Sequence, residues 1–361
     1  MSEGQNRLNV DIYNTPEVKL SHYVSIIVGI FIIPLGILSN ILVICGILLY
    51  PGFYNSSNII KLAIAVFDVL MAAMCVPLFL LCYTDATMDY IAENKHLCLW
   101  KLVNGLVCYA GALYGLMLMS IDRYLAIKFP LKYHMWITVN RTIYVTVGVV
   151  AYSMATAAFP MFGWNNYNAT ITNLNERCNF YNTLPKPLLT WFFMIPNITA
   201  ILISIAVNIH IAVIAFRQMR SFKHQSYLWT DEQKEEFKAR LSGVKITLSL
   251  MCLFIIFTMP YICVLPLRLF KVFSEHVLEV IKTYTIILLA LNSVMNGPVY
   301  AAITKEYRLV FWVMLVNPPW KWKRRLRKLY QGTHSLGMED TNTFQTQERN
   351  SRLLENNSVS I

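Results

Sequence analysis

The chain has 361 residues, of which 56% are hydrophobic and only 14% charged, with mean hydropathy +0.47 and net charge +11. Soluble domains carry about 25% charged residues, so this composition excludes a soluble globular enzyme and indicates a membrane protein. The positive charge does not indicate nucleic acid, because the basic residues gather on alternate connections between apolar segments.

Residues 1–21 are polar and read as an extracellular tail. From Ser21 to Ile60 there is no Asp, Glu, Lys or Arg. A signal-peptide core runs only ~7–15 residues, so this stretch is expected to remain as a membrane span. Apolar segments follow near 22–50, 57–83, 97–122, 142–163, 187–216, 242–267 and 278–303. Each is long enough to cross a ~30 Å hydrocarbon core as a helix, whereas open strands cannot satisfy their backbone in lipid. The fold expectation is therefore an all-α membrane protein, a seven-transmembrane helix bundle over 22–303. Arg123, Lys128, Lys132 and Arg141, then Arg217 to Lys245, then Lys305 to Lys328 all fall on one side. The positive-inside rule puts that side in the cytosol and the N-terminus outside.

The second segment carries Asp68 at its centre. A carboxylate there costs ~2.5–3.5 kcal/mol on insertion scales and marks a functional candidate. Its expected companions are Asn40, Asn292, Ser293 and Asn296. Two readings stand for this group: a water cluster or sodium ion at Asp68, or a neutral polar core that only holds helices together.

The third segment runs from Cys98 to Arg123, about 37 Å of helix at ~1.5 Å per residue. It ends in Asp122-Arg123-Tyr124, a pair able to form an ion bridge at the membrane boundary. Of eight cysteines, only Cys98 and Cys178 fall at outer, loop-exposed positions. They are the disulfide candidates on the oxidising side, against the alternative of two free thiols. The long outer loop 164–186 also contains Asn168-Ala169-Thr170, an N-glycosylation acceptor. Residues 217–241 form a charged inner segment. Residues 304–330 read as a short amphipathic helix and a basic juxtamembrane segment suited to anionic membrane lipid. Residues 331–361 read as a disordered cytoplasmic tail. Its Thr333, Thr341, Thr343 and Thr346 are candidate phosphorylation sites for recruiting a desensitising partner such as arrestin, or parts of a plain solvated tail.

Taken in order, Gly36-Ile-Leu-Ser-Asn40, Asp68, Cys98, Asp122-Arg123-Tyr124, Pro260 and Asn296-Gly-Pro-Val-Tyr300 resemble the landmarks of rhodopsin-like G-protein-coupled receptors. Within that family the stretches 122–133, Pro160-Met-Phe-Gly-Trp-Asn165, Cys178-Asn-Phe180, Arg217-Gln-Met and Asn292-Ser-Val-Met-Asn296 are similar to adenosine receptors. The resemblance implies a ligand site that includes Phe180, Tyr109, Gly105, Leu265, Leu289 and Ala290. It implies a switch at Asp122, Arg123, Tyr124 and Tyr300, and heterotrimeric G protein as partner.

Several positions depart from the pattern. Phe180 matches the aromatic that stacks on the purine. The sixth-span asparagine that grips adenine is Leu265, the seventh-span histidine is Ala290, and the third-span threonine is Tyr109. Losing these partners is expected to weaken purine binding by several kcal/mol. Gly105 removes the aspartate of amine receptors, and Ala290 removes the lysine of retinal opsins. Asn208 replaces a tyrosine that reaches Arg123, Thr258 a tryptophan, Gly297 a proline, and Arg240 a glutamate that restrains Arg123. Arg240 facing Arg123 would repel it and raise basal activity. The function expected is a receptor for an extracellular small molecule, with adenosine or a related purine as one candidate and a non-purine ligand or high basal activity as the alternative. A transporter or channel is disfavoured because Asp68 is nearly the sole intramembrane charge. No Ser/His or His/Asp constellation suggests an enzyme.

Overall fold

The computed structural model describes residues 15–171, 177–225, 230–269 and 272–332. Among these, seven helices are long and apolar enough to cross a membrane: Pro16–Leu49, Ser56–Leu81, Lys95–Lys128, Val139–Phe162, Leu188–Phe222, Gln233–Val264 and Glu275–Ile303. No strand occurs among the described residues. They form one bundle, in which the first span packs on the second and seventh, the third on the second, fourth, fifth and sixth, and the sixth on the seventh. The third span is the most enclosed. Large apolar side chains such as Phe31, Tyr144, Leu202 and Trp312 remain exposed around the bundle, as a lipid-facing surface requires.

The first span begins at Pro16, before the hydropathy boundary at residue 22. Proline is favoured at the first helical position, and Val18, Ser21 and Ser25 already face inward. The two serine hydroxyls donate at 2.7 Å to the carbonyls of Val18 and Ser21, so their polarity does not interrupt the helix.

Two spans carry π-helical turns, Met71–Cys75 and Leu188–Met194. Each ends just before a proline, Pro77 or Pro196. Proline lacks the N–H and its ring crowds the carbonyl four residues back, which is Ala73 in one case and Phe192 in the other. The widened turn accommodates that carbonyl. The seventh span lies closest to the first at Gly297, where an added Cβ would meet the Ser39 carbonyl oxygen at 3.0 Å. Glycine stands there because the two backbones approach too closely for a side chain.

Asn94 caps the third span by accepting from the Leu97 N–H at 3.1 Å. One turn on, Cys98 is disulfide-bonded to Cys178, with Cα atoms 5.7 Å apart. The buried Lys101 ammonium donates to the Cys178 carbonyl at 3.4 Å, so the loop is fixed to the third span twice. At the opposite end a helix, Lys305–Val316, packs Tyr307, Val310, Phe311 and Met314 against the bundle. The basic segment beyond it is helical too, over 322–332. Trp322 Nε1 donates to the carbonyls of Met314 and Asn317 at 2.8 and 2.7 Å, and Leu326 is fully buried. Thr333, Thr341, Thr343 and Thr346 lie outside the described residues.

Cys98→Ser should cost about 2–5 kcal/mol of stability, as loss of a native bridge usually does. A thermal melt of detergent-purified protein reads this directly; an unchanged midpoint would show that the bridge holds nothing together.

Candidate functional site

The end of the bundle that carries the disulfide encloses a cavity of about 710 Å³, within the usual range for small-molecule pockets. The second, third, fifth, sixth and seventh spans line it, with Phe180 from the loop. The disulfide positions Phe180 two residues after Cys178. Phe180 packs over Gly105, where an added Cβ would make ordinary contact, 3.5 Å from the Phe180 ring and 3.7 Å from Phe79. Of the residues expected to bind ligand, Phe180, Tyr109, Gly105, Leu289 and Ala290 all line the cavity. The Leu265 side chain lies outside the described residues. The π-helical turn of the fifth span contributes Leu189, Thr190, Phe193 and Met194. Asn197, one turn further along, also lines the cavity.

Tyr109 also faces a second, much smaller cavity of about 10 Å³ beside Asp68. Its ring packs 5.7 Å from Phe193 and 6.2 Å from Phe254. Tyr109, Leu289 and Met71 thus form the partition between the ligand-sized cavity and the polar core.

Four of the five polar-core residues form two hydrogen-bonded pairs. Asp68 accepts a hydrogen bond from the Asn296 amide. Asn40 donates to the Ser293 carbonyl at 2.6 Å and the Gly36 carbonyl at 2.9 Å, which ties the first span to the seventh. Asn292 and Ser293 line the small cavity with Asp68, facing Met71, Cys108, Ala112, Phe254 and Leu289. That space matches about one water site.

At the other end, Asp122 Oδ2 accepts from Arg123 Nη2 at 2.6 Å and Nε at 2.9 Å. Its second oxygen accepts from the Tyr133 hydroxyl at 2.7 Å. Burial, and then the Asp122 carboxylate, hold the Tyr133 phenol above its ordinary range, so it remains a donor. The far side of the guanidinium rests on the sixth span at Gly243, where a Cβ would meet Arg123 Nη1 at 2.6 Å. Arg240 is exposed one turn away. The residue pressed against Arg123 is therefore Gly243 rather than Arg240. Asn208 donates to the Ser120 hydroxyl at 2.8 Å and to the Ser204 carbonyl at 2.8 Å, joining the fifth span to the third one turn from Arg123. Tyr124 stacks 6.2 Å from His210 and accepts from Lys128.

Lys61, near the start of the second span, is buried. Its ammonium donates to Asn58 Oδ1 at 2.9 Å and lies 4.9 Å from the Tyr307 ring centre and 5.3 Å from that of Tyr300. Tyr307 donates to the same Asn58 oxygen at 2.8 Å, and burial keeps its phenol neutral. The available signal was spacing: Lys61 lies two helical turns from Asp68 on the same face.

Seven spanning helices, a disulfide-clamped loop over a cavity and a hydrogen-bonded Asp–Arg pair at the far end describe a multi-pass membrane receptor. The chain matches the family described as "7 transmembrane receptor (rhodopsin family)" over residues 39–300, and it belongs to that family. It is similar to adenosine receptor A2a of Cavia porcellus, 25% identical over 308 residues that cover 81% of this chain and 72% of the relative. Against adenosine receptor A2a of Homo sapiens the identity is 25% over 312 residues, 82% and 72% of the two chains. Against adenosine receptor A2b of Gallus gallus it is 24% over 302 residues, 79% and 86% of the two chains.

Asp68→Ala leaves the Asn296 amide buried without its acceptor and should cost about 1–3 kcal/mol. Asp68→Asn keeps an acceptor oxygen and should cost less. Equal losses of thermal stability in the two variants would contradict the assigned hydrogen bond.

Proposed function

We propose that this chain is a plasma-membrane receptor that passes an extracellular small-molecule signal to a heterotrimeric G protein. The disulfide end and the exposed Asn168, a glycosylation site, face outside, and the Arg123 end faces the cytosol. The charge distribution supports that orientation. The basic side chains Lys323, Arg324, Arg325, Arg327 and Lys328 are exposed while Leu326 is buried beneath them, an arrangement that suits anionic inner-leaflet lipid. Arrestin recruitment through the tail threonines belongs to the same proposal.

The observation that carries the reading is the position of Arg123. It is held from one side by Asp122 and covered on the other by the sixth span at Gly243. Ligand in the 710 Å³ cavity shifts the population toward a state with the inner end of the sixth helix moved outward. Arg123 then becomes available to the G protein. Gly243→Leu places a side chain where Arg123 lies and should favour the open state, raising basal nucleotide exchange about fivefold for ~1 kcal/mol of bias. Arg240→Glu adds a carboxylate one turn from Gly243 and should lower basal exchange. Exchange assays on purified G protein decide this: basal rates unchanged by both variants would contradict the mechanism.

The relatives named above are adenosine receptors, which makes adenosine one ligand candidate. The cavity favours a less polar one, because Ala290 and Tyr109 stand where purine partners are expected. For Asp68 we infer a water in place of the sodium ion that the family resemblance suggests. Replacing sodium by choline at constant ionic strength should leave the melting midpoint unchanged; a clear loss of stability in choline would restore the ion.

A further inference from the structure

One wall of the cavity is built from apolar side chains that are themselves well exposed. Met194, Ile198 and Leu202 recur every four residues and so form one face of the fifth span. They are 42%, 51% and 61% exposed, and Ile262 of the sixth span is 38% exposed. All four also line the cavity. The same stripe continues through the exposed Trp191, on the flank that meets lipid. Side chains that line the cavity and are also exposed mark where it could open sideways to the bilayer, between the fifth and sixth spans. The fifth span packs chiefly on the third and the sixth chiefly on the seventh, so the seam between the fifth and sixth is packed less tightly than either of those.

Two polar groups mark what could enter. Lys186 lines the cavity, is exposed at its outer rim, and pairs with no carboxylate among the described residues. One lysine balances one negative charge, which fits a carboxylate better than a doubly charged phosphate. Deeper in the wall, Asn197 is buried. Its Nδ2 donates to the Phe193 carbonyl at 2.6 Å, while its Oδ1 has no partner among the described residues. A buried acceptor in an apolar wall calls for a donor from the occupant. Asn197 lies about 13 Å along the helix from Leu188, at ~1.5 Å per residue. The rest of the wall is nearly all hydrocarbon, including Phe79, Leu106, Met259 and Leu289.

We propose that the cavity binds a single-chain fatty acid that carries a hydroxyl partway along its chain and enters from the bilayer between the fifth and sixth spans. The carboxylate pairs with Lys186, the chain fills the apolar interior, and the hydroxyl donates to Asn197 Oδ1. This rests on the reading of the cavity as the receptor's ligand site.

The test uses the full chain in neutral phosphatidylcholine nanodiscs, with tritiated 12-hydroxystearate as probe. Saturable binding is expected, weakened roughly tenfold by Lys186→Gln. The methyl ester of the probe should bind weakly and respond little to that substitution. Stearate should bind more weakly than 12-hydroxystearate to the unmodified receptor, and the two should bind alike to Asn197→Leu. Variants are compared only at equal monodispersity and surface expression. Absence of saturable binding, indifference to Lys186→Gln, or tighter binding of lysophosphatidate than of the fatty acid would overturn the assignment. Binding that follows the variants without changing nucleotide exchange on the G protein would support the lipid site and count against the signalling reading. Absent binding with basal exchange that still depends on Arg123 would overturn the lipid site alone.

Discussion

A guanidinium at the edge of a bilayer needs an anion, and Asp122 supplies it within the same helical turn. The pair is doubly hydrogen-bonded, and the Tyr133 hydroxyl takes the remaining carboxylate oxygen. Because Asp122 satisfies Arg123 locally, the sixth span need not contribute a charge. It contributes a glycine, and the guanidinium lies flat against that surface. The closed arrangement is therefore kept by packing and by hydrogen bonds within the third span and the short helix after it. Packing of this kind is bistable and needs no ion pair to be broken between helices.

The rest of the bundle is organised to keep the third span fixed while its neighbours can shift. At one end it is bonded to the loop through Cys98–Cys178 and Lys101. Near the other end Ser120 receives Asn208 from the fifth span. Between these points Tyr109 forms the floor of the large cavity and the roof of the small one. A ligand that presses on Tyr109 or Leu289 thus bears on the wall of the space beside Asp68. Asp68 is bonded to Asn296 of the seventh span, and Tyr300 sits one turn further along, its ring beneath Lys61. Side chains therefore connect the cavity to Tyr300 and Lys61 at the inner ends of the seventh and second spans.

Much of this was legible in the sequence. Hydropathy gave seven spans, and the placement of Cys98 and Cys178 on one side matched the disulfide that forms. Asp68 found Asn296, and five of the six expected ligand positions line one cavity. What was not legible depends on groups far apart in sequence. Lys61 looks like a loop charge until Tyr300 and Tyr307 are folded over it. Gly243 has no signal of its own, since its significance is the guanidinium that occupies its missing side chain. The partner of Asn208 is a serine 88 residues away. The first helix starts at Pro16, six residues before the apolar run at 22, because Glu17 and Lys19 interrupt hydropathy and not the helix. The π-helical turns precede Pro77 and Pro196, but Pro34, Pro260 and Pro298 sit in unbroken α-helix, so proline alone does not place them.

The central claim is that the sixth span covers Arg123 at rest and leaves it when G protein binds. Spin labels at the Arg123 ends of the third and sixth spans, read by pulsed electron resonance in nanodiscs, measure that separation. The account predicts one short distance for the receptor alone and a longer one with nucleotide-free G protein. The same distance in both states would contradict it.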